Sequence, residues 1–303
     1  MKSFPDTTFT GVHVYKKNHV YISGVSDELA EQNIDHAVIL RWFEGKWAHK
    51  TVNVAIRGMS ALEGDKVTLL NMGIDGKIIE FTFPGEHVEH VDTSDSGPSD
   101  LLHLRCMSKI DNHIFVAGMA RRVYRRDGVN QWTAIDQGVF VPRDTRKEAV
   151  GFNAIDGLMD NSIYAVGYKG EIWHFNGEKW EKNESPTNVV LNGVKCRSDG
   201  EVYACGMAGL ILKGSNGSWL SIDQDLTRND FWGITEFQGR IYLSNYDGLF
   251  TVHDDTLEPV NFGFNKKLST AYIHSSDNAL WSVGQKDLAY TIDGTTWLEV
   301  EKP

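Results

Sequence analysis

Short segments with alternating apolar and polar residues recur along nearly the whole chain. In residues 171–175 (EIWHF) and 210–214 (LILKG) the apolar side chains stand two residues apart. Because successive side chains of a strand point to opposite faces of a sheet, this period predicts short, half-buried strands. The one good helix candidate is 26–33 (SDELAEQN), an insert between two strand-like segments. The pattern therefore predicts an all-β protein.

The strand-like segments belong to an internal repeat. Residues 163–182, 202–221 and 280–299 each contain a strand-like segment ending in glycine, a tight turn, a second strand-like segment, a glycine-containing turn and a tryptophan. The closing glycines are Gly167, Gly206 and Gly284, so the spacing is 39 residues and then twice 39. A degenerate unit lies between them, with Asn245 at the glycine position.

The same unit extends towards the N-terminus, through 114–132, 67–91 and 20–52, and each copy is preceded by one more strand-like run. Seven four-stranded copies with a period near 40 are typical of a β-propeller, in which each blade buries its faces against its neighbours. We therefore predict a single domain over 1–303, a seven-bladed β-propeller with four antiparallel strands per blade. The blades are predicted to begin near residues 11, 54, 101, 151, 191, 231 and 270.

Two arrangements of the first and last blades remain open. The first ten residues either add a strand to blade 7, or blades 1 and 7 simply pack together.

The repeat resembles that of the Asp-box and related kelch-like or photosystem-assembly-like propellers. The resemblance lies in the order of its motifs: YAVG, then GxI, then a turn with DG or NG, and then Trp. The segment 291–297 (TIDGTTW) is the closest single match. The resemblance implies a propeller and no particular activity. We interpret the repeat tryptophans as packing residues between blades. Blades 2 and 6 lack this tryptophan. In blade 6 the 39-residue period places Glu258 at the tryptophan position. These tryptophans are Trp47, Trp132, Trp180, Trp219 and Trp297.

The charge balance bears on the partner. The chain has 30 basic and 41 acidic residues and a formal net charge of -11, which argues against nucleic acid as a partner because phosphate backbones are held by Lys and Arg.

The sequence shows no signal for export or for a membrane span. Pro5 and Asp6 stand where a secretory peptide would be apolar, and no window of 18 apolar residues occurs. The three cysteines form no CxxC pair. We expect a cytoplasmic protein with reduced thiols that binds no membrane.

The sequence offers no motif for catalysis. Sialidase-like propellers use three pore arginines, and the predicted inner strands supply only Arg57 and Arg105. His103, Asp156 and His274 are isolated polar residues of inner strands, which we interpret as a hydrogen-bonded lining. We therefore predict no enzyme activity.

No metal or cofactor site is predicted either. His87 and His90 point to opposite faces of a strand. The loop 92–100 lacks the spacing and the closing glutamate of an EF-hand.

Loop length separates the two edges of the predicted blades. The turns from first to second and from third to fourth strand are short. The turns from second to third strand, together with the connections between blades, carry nearly all the length variation, at 25–36, 91–100, 136–149, 183–190, 223–230 and 260–269. Loops held on a rigid scaffold are the usual recognition elements, so this loop-rich edge is the predicted binding surface.

The predicted partner-binding residues lie in these loops, and most are acidic. Phe140 beside Arg143 adds an apolar anchor with a cation, although Phe140 could equally fold back under the rim. Arg121, Arg122, Arg143, Arg146 and Lys147 predict a basic end near blades 3 and 4. The acidic candidates are Asp27, Glu28, Glu31, Asp35, Asp92, Asp95, Asp100, Asp223 and Asp225.

These observations favour a non-catalytic, monomeric, protein-binding propeller whose acidic face captures a basic partner protein. A narrower hypothesis is an immunity protein that neutralises a nuclease-type interbacterial toxin. The alternative is a glycan-binding lectin or glycosidase-like propeller that uses the central pore or inter-blade pockets, with Trp232 and Tyr272 stacking on sugar rings. A scaffold with several partners is not separable from the first hypothesis by sequence.

Overall fold

The computed structural model describes residues 4–82, 85–98, 102–142, 148–215, 217–276 and 278–303. It contains seven sheets, each of four consecutive antiparallel strands, which confirms the predicted seven-bladed β-propeller. The chain divides into two compact units: residues up to Ile56 with Gln224–Pro303, and Arg57–Asp223. The first unit contains blades 1, 6 and 7, and the second contains blades 2 to 5. The single domain over 1–303 stays a prediction.

The first four blades follow one another along the chain, and a short helix, α1 (Asp27–Glu31), confirms the predicted helical insert in blade 1. Their strands are β1 (Thr7–Lys16), β2 (His19–Ser26), β3 (Ala37–Phe43) and β4 (Lys46–Val52); β5 (Ile56–Leu62), β6 (Thr68–Gly73), β7 (Lys77–Thr82) and β8 (Gly85–His90); β9 (Leu104–Ile110), β10 (His113–Gly118), β11 (Val123–Gly128) and β12 (Gln131–Ala134); β13 (Phe152–Met159), β14 (Ser162–Gly167), β15 (Ile172–Phe175) and β16 (Trp180–Asn183).

The strands of the last three blades are more uniform in length. Their strands are β17 (Leu191–Cys196), β18 (Val202–Gly206), β19 (Ile211–Ser215) and β20 (Ser218–Ser221); β21 (Gly233–Phe237), β22 (Arg240–Ser244), β23 (Leu249–His253) and β24 (Thr256–Pro259); β25 (Tyr272–Ser276), β26 (Ala279–Val283), β27 (Leu288–Thr291) and β28 (Trp297–Glu299). Every blade begins within four residues of its predicted start. Across the described residues no helix is long and apolar enough to cross a membrane.

The repeat glycine is required by close backbone contact. A Cβ atom on Gly167 would lie 2.0 Å from the Gly151 carbonyl oxygen, and one on Gly206 would lie 2.1 Å from the Val190 carbonyl oxygen. Each of these carbonyls precedes the first strand of the same blade, so the glycine lets the second strand approach that segment. Substitution by any other residue would force the backbone apart.

The repeat tryptophans pack against the preceding blade, as predicted. In the second unit Trp180 donates its indole N–H to the Ile135 carbonyl at 2.7 Å, and Trp219 donates to Asn183 Oδ1 at 3.1 Å. Both acceptors lie at or just after the last strand of the blade before. Each ring therefore buries apolar surface between two sheets and also ties their outer edges together.

The predicted register of blade 6 was wrong by one residue. Leu257, not Glu258, pairs with Val252 in the register at which Trp219 pairs with Gly214. Leu257 is buried, so a smaller apolar side chain takes the tryptophan position. Glu258 points to the other face of the strand and is exposed, as the two-residue period requires.

The Asp-box resemblance corresponds to a specific turn. The Asp293 carboxylate accepts hydrogen bonds from the backbone N–H groups of Thr295 and Thr296 at 2.8 and 2.7 Å. These bonds lower the pKa of Asp293, because donors stabilise the ionised form. Asn176 makes the same turn in blade 4, accepting from the N–H groups of Glu178 and Lys179.

Blades 1 and 7 close by packing and share no strand within the described residues. β1 pairs only with β2, and β28 pairs only with β27. The hydrogen bonds that join the blades include one from Phe9 N–H to the Gln285 carbonyl at 2.9 Å and one from Val14 N–H to His274 Nδ1 at 3.1 Å. The second of the two arrangements left open by the sequence is therefore the observed one.

His19 is a half-buried base in blade 1. Its ring lies among Tyr15, Tyr21 and Phe43, with centroid distances of 5.4, 4.8 and 5.0 Å. Burial, with the nearby charge of Arg41 as a smaller cause, lowers the pKa of His19 to about 4. The folded state therefore binds this proton less tightly than the unfolded chain does.

We expect the His19→Phe variant to lose less stability on acidification than the wild type. The contribution of neutral His19 is fully present above pH 6.5 and is lost as the pH falls from 6.5 towards 4. Since one pKa unit is about 1.4 kcal/mol and the ring retains some contact with water, the difference should reach at most about 2–3 kcal/mol. Urea unfolding at about pH 7.5 and about pH 4.5 measures it; parallel pH profiles for the two proteins would contradict it.

Candidate binding surface

The loop-rich edge of the first unit is formed by the second-to-third-strand turns and the blade connections. In that unit the loops are 27–36, 224–232, 245–248, 260–271 and 284–287. Because the strands of a blade alternate in direction, all of these loops leave the sheets at the edge opposite the short turns. The loop lengths of the two edges are as predicted.

Three predicted binding residues of this edge project freely. Glu28, Glu31 and Asp35 are exposed, and they make no hydrogen bond or ion pair with any described residue. Asp225 in the connection to blade 6 is likewise exposed and makes no hydrogen bond or ion pair with any described residue. The same holds for Asp95 and Asp223 in the second unit. These six carboxylates are available to a partner without breaking a contact within the protein.

Asp27 is used within the protein. Its carboxylate binds the Lys286 ammonium and accepts a hydrogen bond from the Thr8 hydroxyl at 2.7 Å, and Lys286 also binds Asp6 at 3.0 Å. The Lys286 hydrogen bond is the largest cause of the lowered pKa of Asp27. Asp27 therefore links the loops of blades 1 and 7 and contributes little free negative charge.

Asp92 is also a structural residue. It accepts hydrogen bonds from Ser94 N–H at 2.8 Å and from the Tyr124 hydroxyl at 2.9 Å, and it lies 3.2 Å from Arg122. Burial alone would raise the pKa of Asp92, but the bonds from Ser94 and Tyr124 outweigh it and the pKa is lowered. Asp92 orders the connection between blades 2 and 3.

Phe140 packs on the same cluster. Its ring centroid lies 4.4 Å from the Arg122 guanidinium, which is also 3.3 Å from the buried Asp136 carboxylate. Phe140 is half-buried, and this contact is the folded-back arrangement that the sequence left open. Arg143 and Asp100 lie outside the described residues.

The two described arginines of the predicted basic end are paired. Arg121 makes a two-pronged bond to the Glu171 carboxylate at 2.7 and 2.6 Å and lies 5.2 Å from the Trp173 ring centroid. Arg122 is held by the acidic cluster just described. Neither provides free positive charge, and Arg146 and Lys147 lie outside the described residues.

Acidic residues occur at both edges of the first unit. The short turns at the other edge carry exposed Glu44, Asp254, Asp255 and Asp293. Exposed carboxylates alone therefore do not tell the two edges of this unit apart, and the acidic face stays a prediction. A second property is needed to tell the edges apart.

A pair of exposed aromatic side chains supplies that property at the loop-rich edge, whereas the short-turn edge of this unit has Phe43 at 38% exposure. Trp232 is 43% exposed and Tyr246 is 50% exposed, and their ring centroids are 6.5 Å apart. Sequence reasoning assigned Trp232 to the glycan alternative and missed Tyr246. The repeat register could have found it, because Tyr246 directly follows Asn245 just as Met207 follows Gly206 in blade 5.

Asp156, His274 and Arg105 of the inner strands make structural contacts. Asp156 accepts a hydrogen bond from Cys196 N–H at 2.8 Å and binds Lys195 at 3.0 Å. Arg105 lies over the Tyr168 ring. No group of three metal-binding side chains occurs in the part of the chain that the structure describes.

The cysteines are poor nucleophiles in this setting. Burial raises the pKa of the Cys106 thiol to about 12 and also raises those of Cys196 and Cys205. Because the thiolate is the reactive form, none of the three is prepared for covalent catalysis.

A recess of about 440 Å³ lies between blades 1 and 7, lined by Trp42, Trp47 and Tyr290 among others. Its aromatic groups are already used in packing. Trp47 donates its indole N–H to the Glu301 carbonyl at 3.0 Å, and Trp42 meets the buried Trp281 edge-on. The recess is thus part of the closure between the blades.

One curated protein resembles the chain along nearly its whole length. It is the immune protein Tsi7 of Pseudomonas aeruginosa, 34% identical over 300 residues, which are 97% of each chain. The chain belongs to the Tsi7 family of immune proteins. No protein-family model matches the sequence.

Solved structures related to this Tsi7-family chain show its fold alone. Inactive virginiamycin B lyase from Staphylococcus aureus has a TM-score of 0.68 at 14% identity, over 94% of both chains. The WD40 propeller domain of Doa1 has a TM-score of 0.67 at 12% identity, over 94% of this chain and 93% of that domain. These propellers differ widely in role, so the fold carries no functional argument.

Proposed function

We propose that this protein is an immunity protein that neutralises an interbacterial toxin by binding it, without catalysing a reaction itself. The observation that carries the proposal is the 34% identity to Tsi7 over 97% of the chain. The free carboxylates of the loop-rich edge support a basic toxin surface as the partner, and a nuclease is such a partner because it must bind phosphates. We further propose that the protein acts in the cytoplasm as a monomer.

The absence of catalysis in this proposal is supported by how the candidate residues are used. Asp156 and His274 of the inner strands bond to neighbouring strands, and burial raises the pKa of each cysteine thiol. Inhibition by binding requires only a complementary surface that covers the site of the toxin.

The proposal is tested with the candidate toxin, defined as the product of the reading frame adjacent to the gene for this chain. Co-expression should restore growth to cells that produce the candidate toxin, and the purified proteins should bind in calorimetry. Growth arrest that persists despite full expression of this protein would overturn the proposal. Turnover of any substrate by the purified protein alone would overturn its non-catalytic part.

Charge reversal on blade 1 should weaken toxin binding about 100-fold at low salt. The variant carries Glu28→Lys, Glu31→Lys and Asp35→Lys, three positions that make no hydrogen bond or ion pair with described residues. Since exposed interface charges act mainly on the association rate, the loss should be largest in kon and should shrink in about 0.5 M salt. Asp27 is left unchanged because of its bond to Lys286.

A matched control variant makes the same change in net charge at positions outside these loops. It carries Asp65→Lys and Glu178→Lys in short turns and Glu258→Lys on an outer strand, all exposed. Stopped-flow binding of the control should stay within about threefold of the wild type. Equal weakening by the two triple variants would show that net charge, and no particular edge, governs binding.

A further inference from the structure

The connection 224–232 is held firmly against the turn 245–248 of blade 6. Trp232 N–H donates to the Ser244 carbonyl at 3.0 Å. The buried Asn245 donates from its amide to the Thr227 hydroxyl oxygen at 3.2 Å and accepts from the N–H groups of Asp247 and Gly248. These bonds fix both segments before any partner arrives.

Three large apolar side chains project from this fixed platform. The exposed fraction is 49% for Leu226, 43% for Trp232 and 50% for Tyr246. We call Leu226, Trp232 and Tyr246 the aromatic patch. Exposed aromatic rings on a rigid support cost a binding partner little ordering entropy, and Trp and Tyr are the residues most enriched in binding hot spots.

Acidic groups accompany the aromatic patch. Asp225 precedes Leu226, and Asp247 follows Tyr246; both are exposed. Aromatic faces and carboxylates both attract guanidinium and ammonium groups. The planes of the Trp232 and Tyr246 rings are inclined by 57°, so the two rings do not form one flat surface.

A sugar is a poorer fit than a basic protein. The amides that could bind sugar hydroxyls are engaged internally: Gln224 exchanges hydrogen bonds with the Thr227 backbone, and Asn229 binds the Asp247 carboxylate. Lectin sites combine an aromatic face with several free polar groups, and the described amides here are not free.

We propose that the aromatic patch is the anchor of the toxin interface and receives an arginine or lysine side chain from a basic, partly apolar surface of the toxin. This inference rests on the proposed function and identifies the residues that carry most of its affinity. The acidic residues of blade 1 would then guide the encounter, and the patch would determine how long the complex lasts.

The test measures binding of the candidate toxin by calorimetry and by dissociation kinetics. Trp232→Ala and Tyr246→Ala should each weaken binding about 30-fold or more, mainly through koff, and Tyr246→Phe should keep most of the affinity because the ring face remains. Both side chains are exposed, so the melting temperatures should match that of the wild type. Ile292→Ala, a 42% exposed apolar residue in a short turn of blade 7, is the control and should bind like the wild type.

The failures of the two proposals are distinguishable. If the wild type binds and protects cells but both alanine variants bind within about threefold of it, the patch is not the anchor and the immunity function stands. If the wild type does not bind the candidate toxin, the proposed function fails and this inference fails with it. Binding to a glycan array that disappears in Trp232→Ala, without toxin binding, would overturn both in favour of a lectin.

Discussion

The Arg126→Met variant should lose about 3–5 kcal/mol of unfolding free energy at about pH 7.5. Arg126 in blade 3 binds the Glu80 and Glu89 carboxylates of blade 2, with 2.7 Å from its Nε to Glu89. All three side chains are less than a tenth exposed. Removing the only cation of the triad would leave two buried carboxylates facing each other, which costs more than the packing of methionine recovers.

The pH dependence of that loss tests its cause. Burial, with repulsion from Glu89 in addition, already raises the pKa of Glu80 in the wild type even beside Arg126. Without Arg126 the folded-state pKa values should rise further. Protonation would then favour the folded state at low pH, and the deficit should grow as the pH rises from about 5 to about 8.

Two observations from urea unfolding decide this prediction. A second variant that combines Arg126→Met with Glu80→Leu and Glu89→Gln should recover most of the lost stability, because the buried charges are gone. The amide oxygen introduced at position 89 can still accept the hydrogen bond that Asn130 N–H donates to the carboxylate in the wild type. A loss below about 1 kcal/mol that does not vary with pH would show that the triad is not an energetic linkage between blades 2 and 3.

The fold was predictable because it is imposed by local features that repeat. Gly167 and Gly206 recur at a fixed spacing because each faces a backbone carbonyl at a distance that excludes a Cβ atom. The repeat tryptophans recur because each must reach the last strand of the preceding blade. The error at Glu258 arose because a period gives a position only to within one residue, while the two-residue alternation of the strand decides which side chain is buried.

The binding surface was less predictable because the free charge of a residue depends on contacts distant in sequence. Asp27 and Lys286 are 259 residues apart, and Asp92 and Arg122 are 30 apart. Neither pairing leaves a mark in the local sequence. Loop composition therefore overstated the acidic character of one edge, whereas the exposed Glu28, Glu31 and Asp35 match the expected availability.

The Trp281→Ala variant should lose about 3–5 kcal/mol of unfolding free energy and loosen the closure between blades 1 and 7. Trp281 of β26 is fully buried, stacks on Tyr290 at 5.2 Å between centroids, and meets Trp42 of blade 1 edge-on at the same distance. No strand shared among the described residues holds these blades together, so the closure depends on side-chain packing and on the hydrogen bonds between the two blades. Amide exchange at Phe9, whose N–H donates to Gln285 across the closure, should accelerate along with the loss of stability.

Two matched variants separate the packing of Trp281 from its polar group. The indole N–H of Trp281 has no hydrogen-bond partner among the described residues, so Trp281→Phe should cost much less than Trp281→Ala, because it keeps an aromatic ring and removes an unpaired donor. Leu220→Ala, at a 74% exposed position of β20 in blade 5, should leave both stability and exchange near the wild type. If Trp281→Ala destabilised the protein by less than about 1.5 kcal/mol with unchanged exchange at Phe9, the closure would depend on contacts other than this aromatic stack.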